Sequence, residues 1–200
     1  MTRDQTRRGF LVATGTLAAA GVGFDALSQH VHAQELAPTP QCRDGQEPTV
    51  RQTEGPFFKP RSPLRSDLRE PGSRSDEVEL SGFVLTRTCK PLANALVDLW
   101  HADERGEYDN RGFRYRGHQR TDASGRYRFR TVRPAVYVGR TRHYHVKVQA
   151  AGSRVLTTQL YFPDELGNER DSLFQQELLM KIVWAGDGAT ARFDFVLDIR

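Results

Sequence analysis

Apolar and polar residues alternate along much of the second half of the chain, with the two-residue period of strands buried on one face. Val78 to Leu85 alternates in this way, and the turn residues Lys90-Pro91-Leu92 follow it. Ala95-Leu96-Val97-Asp98-Leu99-Trp100 reads as a second strand. Asp122-Ala123-Ser124-Gly125 is a turn, and Arg126-Tyr127-Arg128-Phe129-Arg130 alternates cleanly after it. His143 to Ala150, Arg154 to Tyr161 and Ala191 to Ile199 complete the set, and in the last of these Phe193, Phe195, Leu197 and Ile199 share a face. Only Asp171 to Lys181 reads as a short helix. The pattern predicts an all-β fold, an antiparallel β-sandwich with long loops and one short helix.

The first 75 residues carry no such period. Met1 to Arg8 holds Arg3, Arg7 and Arg8, an uncharged Gly/Ala/Leu-rich run extends from Gly9 to Phe24, and Val31-His32-Ala33 has the small-x-small form of a cleavage site. Thr6-Arg7-Arg8-Gly9-Phe10-Leu11 resembles a twin-arginine export motif. Residues 1–33 are therefore expected to be a twin-arginine signal peptide that sends the protein to the periplasm. The apolar run is too short and too rich in glycine for a stable membrane anchor. Residues 34–75, rich in Pro, Gly and charge, read as an extended arm, and 76–200 as the β-sandwich catalytic domain. The arm could wrap its own domain or a neighbour, so a homo-oligomer is compatible with the sequence. Cys42 and Cys89 would meet an oxidising compartment, where they either pair or stay as inert thiols.

Composition narrows the function. A hydrophobic content of 38% supports a packed core, and a mean hydropathy of -0.62 excludes a polytopic membrane protein. The chain has 4 lysines and 25 arginines, which favours carboxylate recognition or ion pairing over a generic basic surface. Residues 111–142 hold ten arginines, no lysine and one acid, Asp122. Arg126, Arg128 and Arg130 read as a solvated strand face. Arg133, Arg140 and Arg142 are expected to make a potential that attracts an anionic aromatic acid. No nucleic-acid-binding module accompanies this charge.

The candidate chemistry begins at His143-Tyr144-His145. Side chains alternate along a strand, so His143 and His145 share a face and can bind one metal ion, or can be two solvent-facing histidines. Tyr108 and Tyr137 lie in loops rather than on strand faces. A phenol ligates as phenolate only beside a strong cation such as ferric iron; alternatively each tyrosine caps the sandwich.

Taken together, these motifs resemble the intradiol ring-cleavage dioxygenases, a family that includes the catechol 1,2- and protocatechuate 3,4-dioxygenases. The resemblance is carried by Leu96 to Asp103 with Gly106-x-Tyr108, by Thr121-Asp122-Ala123-x-Gly125-x-Tyr127, by Pro134-x-x-Tyr137-x-Gly139-Arg140-x-x-His143-x-His145, by Leu156-Thr157-Thr158-Gln159, and by Thr53-Glu54-Gly55-Pro56-Phe57-Phe58. It is similar to the short, exported, single-domain branch. The resemblance implies Fe(3+) held by Tyr108, Tyr137, His143 and His145, with Tyr137 leaving when substrate binds. It implies Arg140 beside the iron and Gln159 lining the substrate pocket. It implies a small aromatic diol and O2 as substrates and a muconate-type diacid as product. Catechol, hydroxyquinol, protocatechuate and larger aromatics all fit it. Arg142, Phe58 and Ala135-Val136 depart from the family pattern near the pocket. Two other readings stand beside this one. The first is a ferrous 2-His-1-carboxylate oxygenase using His101 and Asp103; the second is a non-catalytic β-sandwich binding module. His101 and His118 otherwise read as structural.

Overall fold

The computed structural model describes Cys42, Gly45 and residues 47–200. The twin-arginine motif, the apolar run and the cleavage site lie outside the described residues. Nine strands form two sheets: β1 (Glu77–Thr86), β2 (Leu96–Trp100), β3 (Arg116–Arg120), β4 (Arg126–Val132), β5 (His143–Gln149), β6 (Leu156–Tyr161), β7 (Lys181–Ala185), β8 (Gly188–Arg192) and β9 (Phe195–Leu197). One sheet has the order β4-β1-β8-β7, with β9 also beside β1, and the other the order β3-β2-β5-β6. The all-β sandwich expected from the alternation is what forms.

Its details differ from the sequence reading in three places. The helix expected over 171–181 is a single 3₁₀ turn at Gln176–Leu178, and no α-helix occurs among the described residues. The short strands β3 and β7 had no clear alternation to mark them. The strand expected over 191–199 is broken into β8 and β9, which pair side by side with β1, both in parallel, so the first sheet is mixed. The break has a local cause. At Gly82 the Phe193 carbonyl presses so close that a Cβ would lie 1.8 Å from its oxygen. The Asp194 carboxylate then takes the Phe83 amide that a continuous partner strand would have bonded (2.9 Å).

Val78, Leu80, Val84, Tyr127, Phe129, Phe193, Phe195 and Leu197 from one sheet meet Val97, Leu99, Tyr144, Val146, Val148 and Leu160 from the other in one core. Arg126, Arg128 and Arg130 alternate with buried Tyr127 and Phe129 and are exposed, as expected of a solvated face. Arg128 pairs with Glu79 and Arg130 with Asp67.

Residues 52–65 run across the outer face of the β3-β2-β5-β6 sheet, with Thr49 hydrogen-bonded to Val196 of β9 before them and Leu68 to Arg130 of β4 after them. The Gln52 amide donates to the Thr157 carbonyl oxygen (2.9 Å), Arg65 N–H to His118 O (3.0 Å) and His118 N–H to Pro63 O (2.9 Å). Ser62 donates to the Asp98 carboxylate (2.8 Å), Lys147 pairs with Glu54, and the Lys147 ammonium sits 3.5 Å over the Phe58 ring. Cys42 is disulfide-bonded to Cys89, which ties the chain before this segment to the turn after β1. The pairing that the sequence left open is thus made. No helix of the described residues is long and apolar enough to cross a membrane.

Candidate metal centre

Direct cross-strand neighbours share a face, and one such row on the outer face of the second sheet reads Arg116, Trp100, His145, Gln159. All four are buried beneath the overlying segment. His143 lies on the same face one pleat away, opposite Tyr161. Trp100 stacks on the His145 ring, with centroids 5.0 Å apart and planes 8° from parallel. Gly55 packs against the same ring, where a Cβ would stand 3.3 Å from His145 Cε1. Gly55 also has φ +69, so glycine meets both the backbone and the steric demand.

Tyr108 reaches the two histidines from the loop after β2. Its hydroxyl lies 3.0 Å from His145 Nε2 and 3.3 Å from His143 Nε2, and the two Nε2 atoms are 3.1 Å apart. These three contacts cannot all be hydrogen bonds. His143 Nδ1 donates to the Thr141 carbonyl oxygen (2.7 Å), which leaves Nε2 of the neutral ring without a proton. Burial pushes the His143 imidazole down to about 4, and it holds His145 well below its ordinary value. Two protons then remain for three contacts. Neighbouring ligand atoms at about 2.0–2.1 Å from one cation stand roughly 3 Å apart. The donor set therefore fits a single metal ion. Burial also raises the Tyr108 phenol, against the opposing charges of Arg140 and Arg116, so a phenolate there calls for a strong cation.

Tyr137 packs edge-on beside this group, its ring centroid 5.8 Å from that of Tyr108 and 5.4 Å from that of Phe57. Its hydroxyl makes no hydrogen bond to the other three. The structure thus brings three of the four expected ligands to one point and sets the fourth alongside.

Arg140 is fixed from two directions. Its Nε donates to both oxygens of Asp171 (3.0 and 2.9 Å), and Nη2 donates to Gln159 Oε1 (2.6 Å). Burial works against the Asp171 charge. The amides of Leu173 and Thr141 together with Arg140 outweigh it, and the carboxyl lies below its ordinary value. Gln159 is fully buried; its Nε2 donates to the Thr53 carbonyl oxygen (2.9 Å) and its Oε1 also accepts from the Tyr161 hydroxyl (2.9 Å). Gln159 therefore braces Arg140 and the overlying segment. Asp171 was missed by sequence reasoning. Its signal was an acid opening a turn, which the sequence reading took for the start of a helix.

Two expectations need correction. Arg133 and Arg142 share Glu165 (2.6 and 3.0 Å), and Arg133 also meets Asp76 (3.6 Å), so two acids offset the two charges. The His101–Asp103 reading also fails. His101 has both ring nitrogens engaged, with the Ala102 carbonyl (2.7 Å) and the Thr131 hydroxyl (2.6 Å). Asp103 accepts the amides of Arg105 and Glu107 and closes its own turn. Among the described residues, no three His, Cys, Asp or Glu side chains group as metal ligands.

The fold and this constellation define a β-sandwich built around a two-histidine, tyrosine-rich centre. The dioxygenase family model Dioxygenase_C matches residues 53–199, and the chain belongs to this intradiol dioxygenase family. It is 34% identical over 173 residues to catechol 1,2-dioxygenase 2 of Acinetobacter lwoffii, covering 72% of this chain and 60% of that protein. Among solved structures, it resembles the dioxygenase domain of a dioxygenase carbohydrate-binding protein fusion from Streptomyces sp. SirexAA-E. That match has 51% identity and a TM-score of 0.75, over 77% of this chain and 100% of that one. It also resembles catechol 1,2-dioxygenase from Pseudomonas arvilla C-1, with 28% identity and a TM-score of 0.69, over 76% of this chain and 62% of that one. The chain thus spans about 60% of the length of the curated catechol dioxygenase it matches.

Proposed function

We propose that the protein is a non-haem Fe(3+) dioxygenase that cleaves a catechol-type ring between its two hydroxyls with O2. The observation that carries this reading is the mutual approach of Tyr108 Oη, His143 Nε2 and His145 Nε2 to 3.0–3.3 Å. Tyr108, His143, His145 and Tyr137 would hold the ion. When bound, ferric iron supplies a Lewis acid that draws electron density from a chelated catecholate and makes a ring carbon reactive to O2. The chain's own residues do the rest. Tyr137 Oη stands outside the three-atom group; as the phenolate that the ion would stabilise, it would take a proton from an arriving diol hydroxyl. The Arg140 guanidinium, pinned by Asp171 and Gln159, keeps Nη1 clear of bonds to other side chains and faces the anionic ring with it. Phe57 and the 53–58 segment cover the row and exclude water. In the net reaction, the carbon–carbon bond between the two oxygenated ring carbons breaks. Both oxygen atoms enter the product, and the ring carbons supply the four electrons.

The twin-arginine-like segment is read as an export signal to the periplasm; the Cys42–Cys89 disulfide supports an oxidising compartment. The test of the enzyme reading is an aerobic panel of catechols on ferric-loaded protein with the product mass measured. The expected result is a coloured protein with about one iron per chain, and a diacid carrying both atoms of O2. Zinc or copper in a colourless protein, with every catechol untouched, overturns it and favours the binding-module reading.

A further inference from the structure

Arg116 opens β3 on the outer face, directly opposite Trp100. Its side chain is among the largest fully buried ones in the molecule, with a relative exposure of 1%. Nε donates to the Asp109 carbonyl oxygen (3.0 Å) and Nη1 to the Phe57 carbonyl oxygen (2.7 Å). Asp109 follows Tyr108 in the chain. The Phe57 ring lies on the Tyr108 ring, with centroids 4.5 Å apart and planes 15° from parallel. One guanidinium therefore grips the peptide that carries the phenol and the peptide of the ring stacked on it.

No carboxylate makes a direct ion pair with Arg116; Asp109 and Asp98 attract its charge only from a distance. The Asp109 carboxylate is taken by the amides of Arg111, Gly112 and Arg114, and the Asp98 carboxylate by Ser62. Arg116 Nη2 is buried without a hydrogen-bond partner. Burying a cation against two neutral carbonyls is costly, so such an arrangement calls for a negative group nearby.

We infer that Arg116 is the positioning residue of Tyr108. It locks the 53–58 and 106–112 segments around the phenol and sets a fixed positive charge beside it, which no sequence motif assigned to this residue. The charge half of this inference rests on the ferric reading above; the locking half does not. Lysine cannot replace it, since a point charge on a flexible stem cannot serve two carbonyls in a plane.

The experiment compares Arg116→Met and Arg116→Lys with Arg126→Gln, a change at an exposed strand arginine. Hydrogen exchange on iron-free protein tests the lock. In Arg116→Met, amides in 53–58 and 106–112 should exchange faster while β5 and β6 keep their protection. Uniform acceleration over the whole sheet, or none anywhere, overturns the lock, and this holds whether or not the protein uses iron. Chelator competition and visible spectra on ferric-loaded protein test the charge. Arg116→Met should hold ferric iron about 10–100-fold more weakly, as loss of a group supporting a metal ligand typically does, and its tyrosinate band should shift. Arg116→Lys should recover part of the retention but not the exchange protection. Wild-type retention and an unmoved band in both variants overturn the charge. If Arg116→Met fails to fold, Arg116→Lys decides the lock by the same exchange pattern.

Discussion

Around Trp100 and His145 the two faces of the β3-β2-β5-β6 sheet are both buried and entirely different. On the inner face, Leu99 and Val146 stand at 0% and 1% exposure, and they pack against the apolar side of the other sheet. One residue along each strand, Trp100 and His145 stand at 1% and 3% exposure on the outer face. There the cover is a loop segment, and the neighbours are Arg116, Gln159 and Lys147. Apolar burial is non-directional, so the inner face needs only volume and shape. Buried polar groups need partners at defined angles, so the outer face holds each side chain at a specific distance. The same alternation thus produces a core on one side and a rigid cradle for chemistry on the other. His101 makes the point within one residue type. It follows Trp100 in the chain, rests against Tyr144 on the inner side, and has both ring nitrogens occupied. His145 instead aims a ring nitrogen at Tyr108.

Substitutions on the two faces should separate accordingly. Arg140→Lys should keep iron and colour, since the residue is not a ligand, yet lose about 10²–10³ in rate, because lysine cannot reproduce the fork held by Asp171 and Gln159. Leu99→Ala should cost about 2–5 kcal/mol in unfolding free energy while the folded fraction turns over normally. Steady-state rates and denaturant melts of both variants check this. A rate loss in Leu99→Ala as large as that in Arg140→Lys would erase the distinction between the faces.

The two tyrosines sharpen it further. Tyr108→Phe removes an oxygen that touches both histidines, and should weaken ferric retention by more than the roughly 10–100-fold typical of losing a group that only supports a ligand. On the proposed assignment, Tyr137→Phe should keep iron through Tyr108, His143 and His145, shift the visible band, and bind substrate but convert it slowly for want of a proton acceptor. Iron content and single-turnover rates measure both. Equal iron loss with equal rate loss would refute the division of labour.

The most gradual effect concerns pH. Burial first, with the nearby Arg116 charge, holds His101 at about 4, against an ordinary 6.5. Between those values the unfolded chain takes up a proton that the folded protein refuses, so stability rises with pH. The contribution is complete above about 6.5 and lost as pH falls towards 4, amounting to about 3 kcal/mol. His101→Gln should flatten that part of the acid melt without changing ferric retention. An unchanged slope would show that the inner histidine does not carry the acid sensitivity.

Two-residue alternation made the sandwich legible and put His143, His145 and Lys147 on one face, because strand geometry is local and fixes side-chain direction. The turn at Asp122-Ala123-Ser124-Gly125 was marked in the same local way, and Gly125 takes a positive φ there. The resemblance to the family, rather than any periodicity, named Tyr108, Tyr137, Arg140 and Gln159. It could not show that Gln159 and Asp171 clamp Arg140 from opposite sides, because those contacts close over 19 and 31 residues of chain. The parallel pairing of β8 and β9 with β1 was likewise hidden, since alternation specifies which face is buried and not which strand lies beside it. Arg116 was one arginine among ten in its segment. Its burial depends on where 53–58 crosses the sheet, a long-range contact that only the tertiary structure decides.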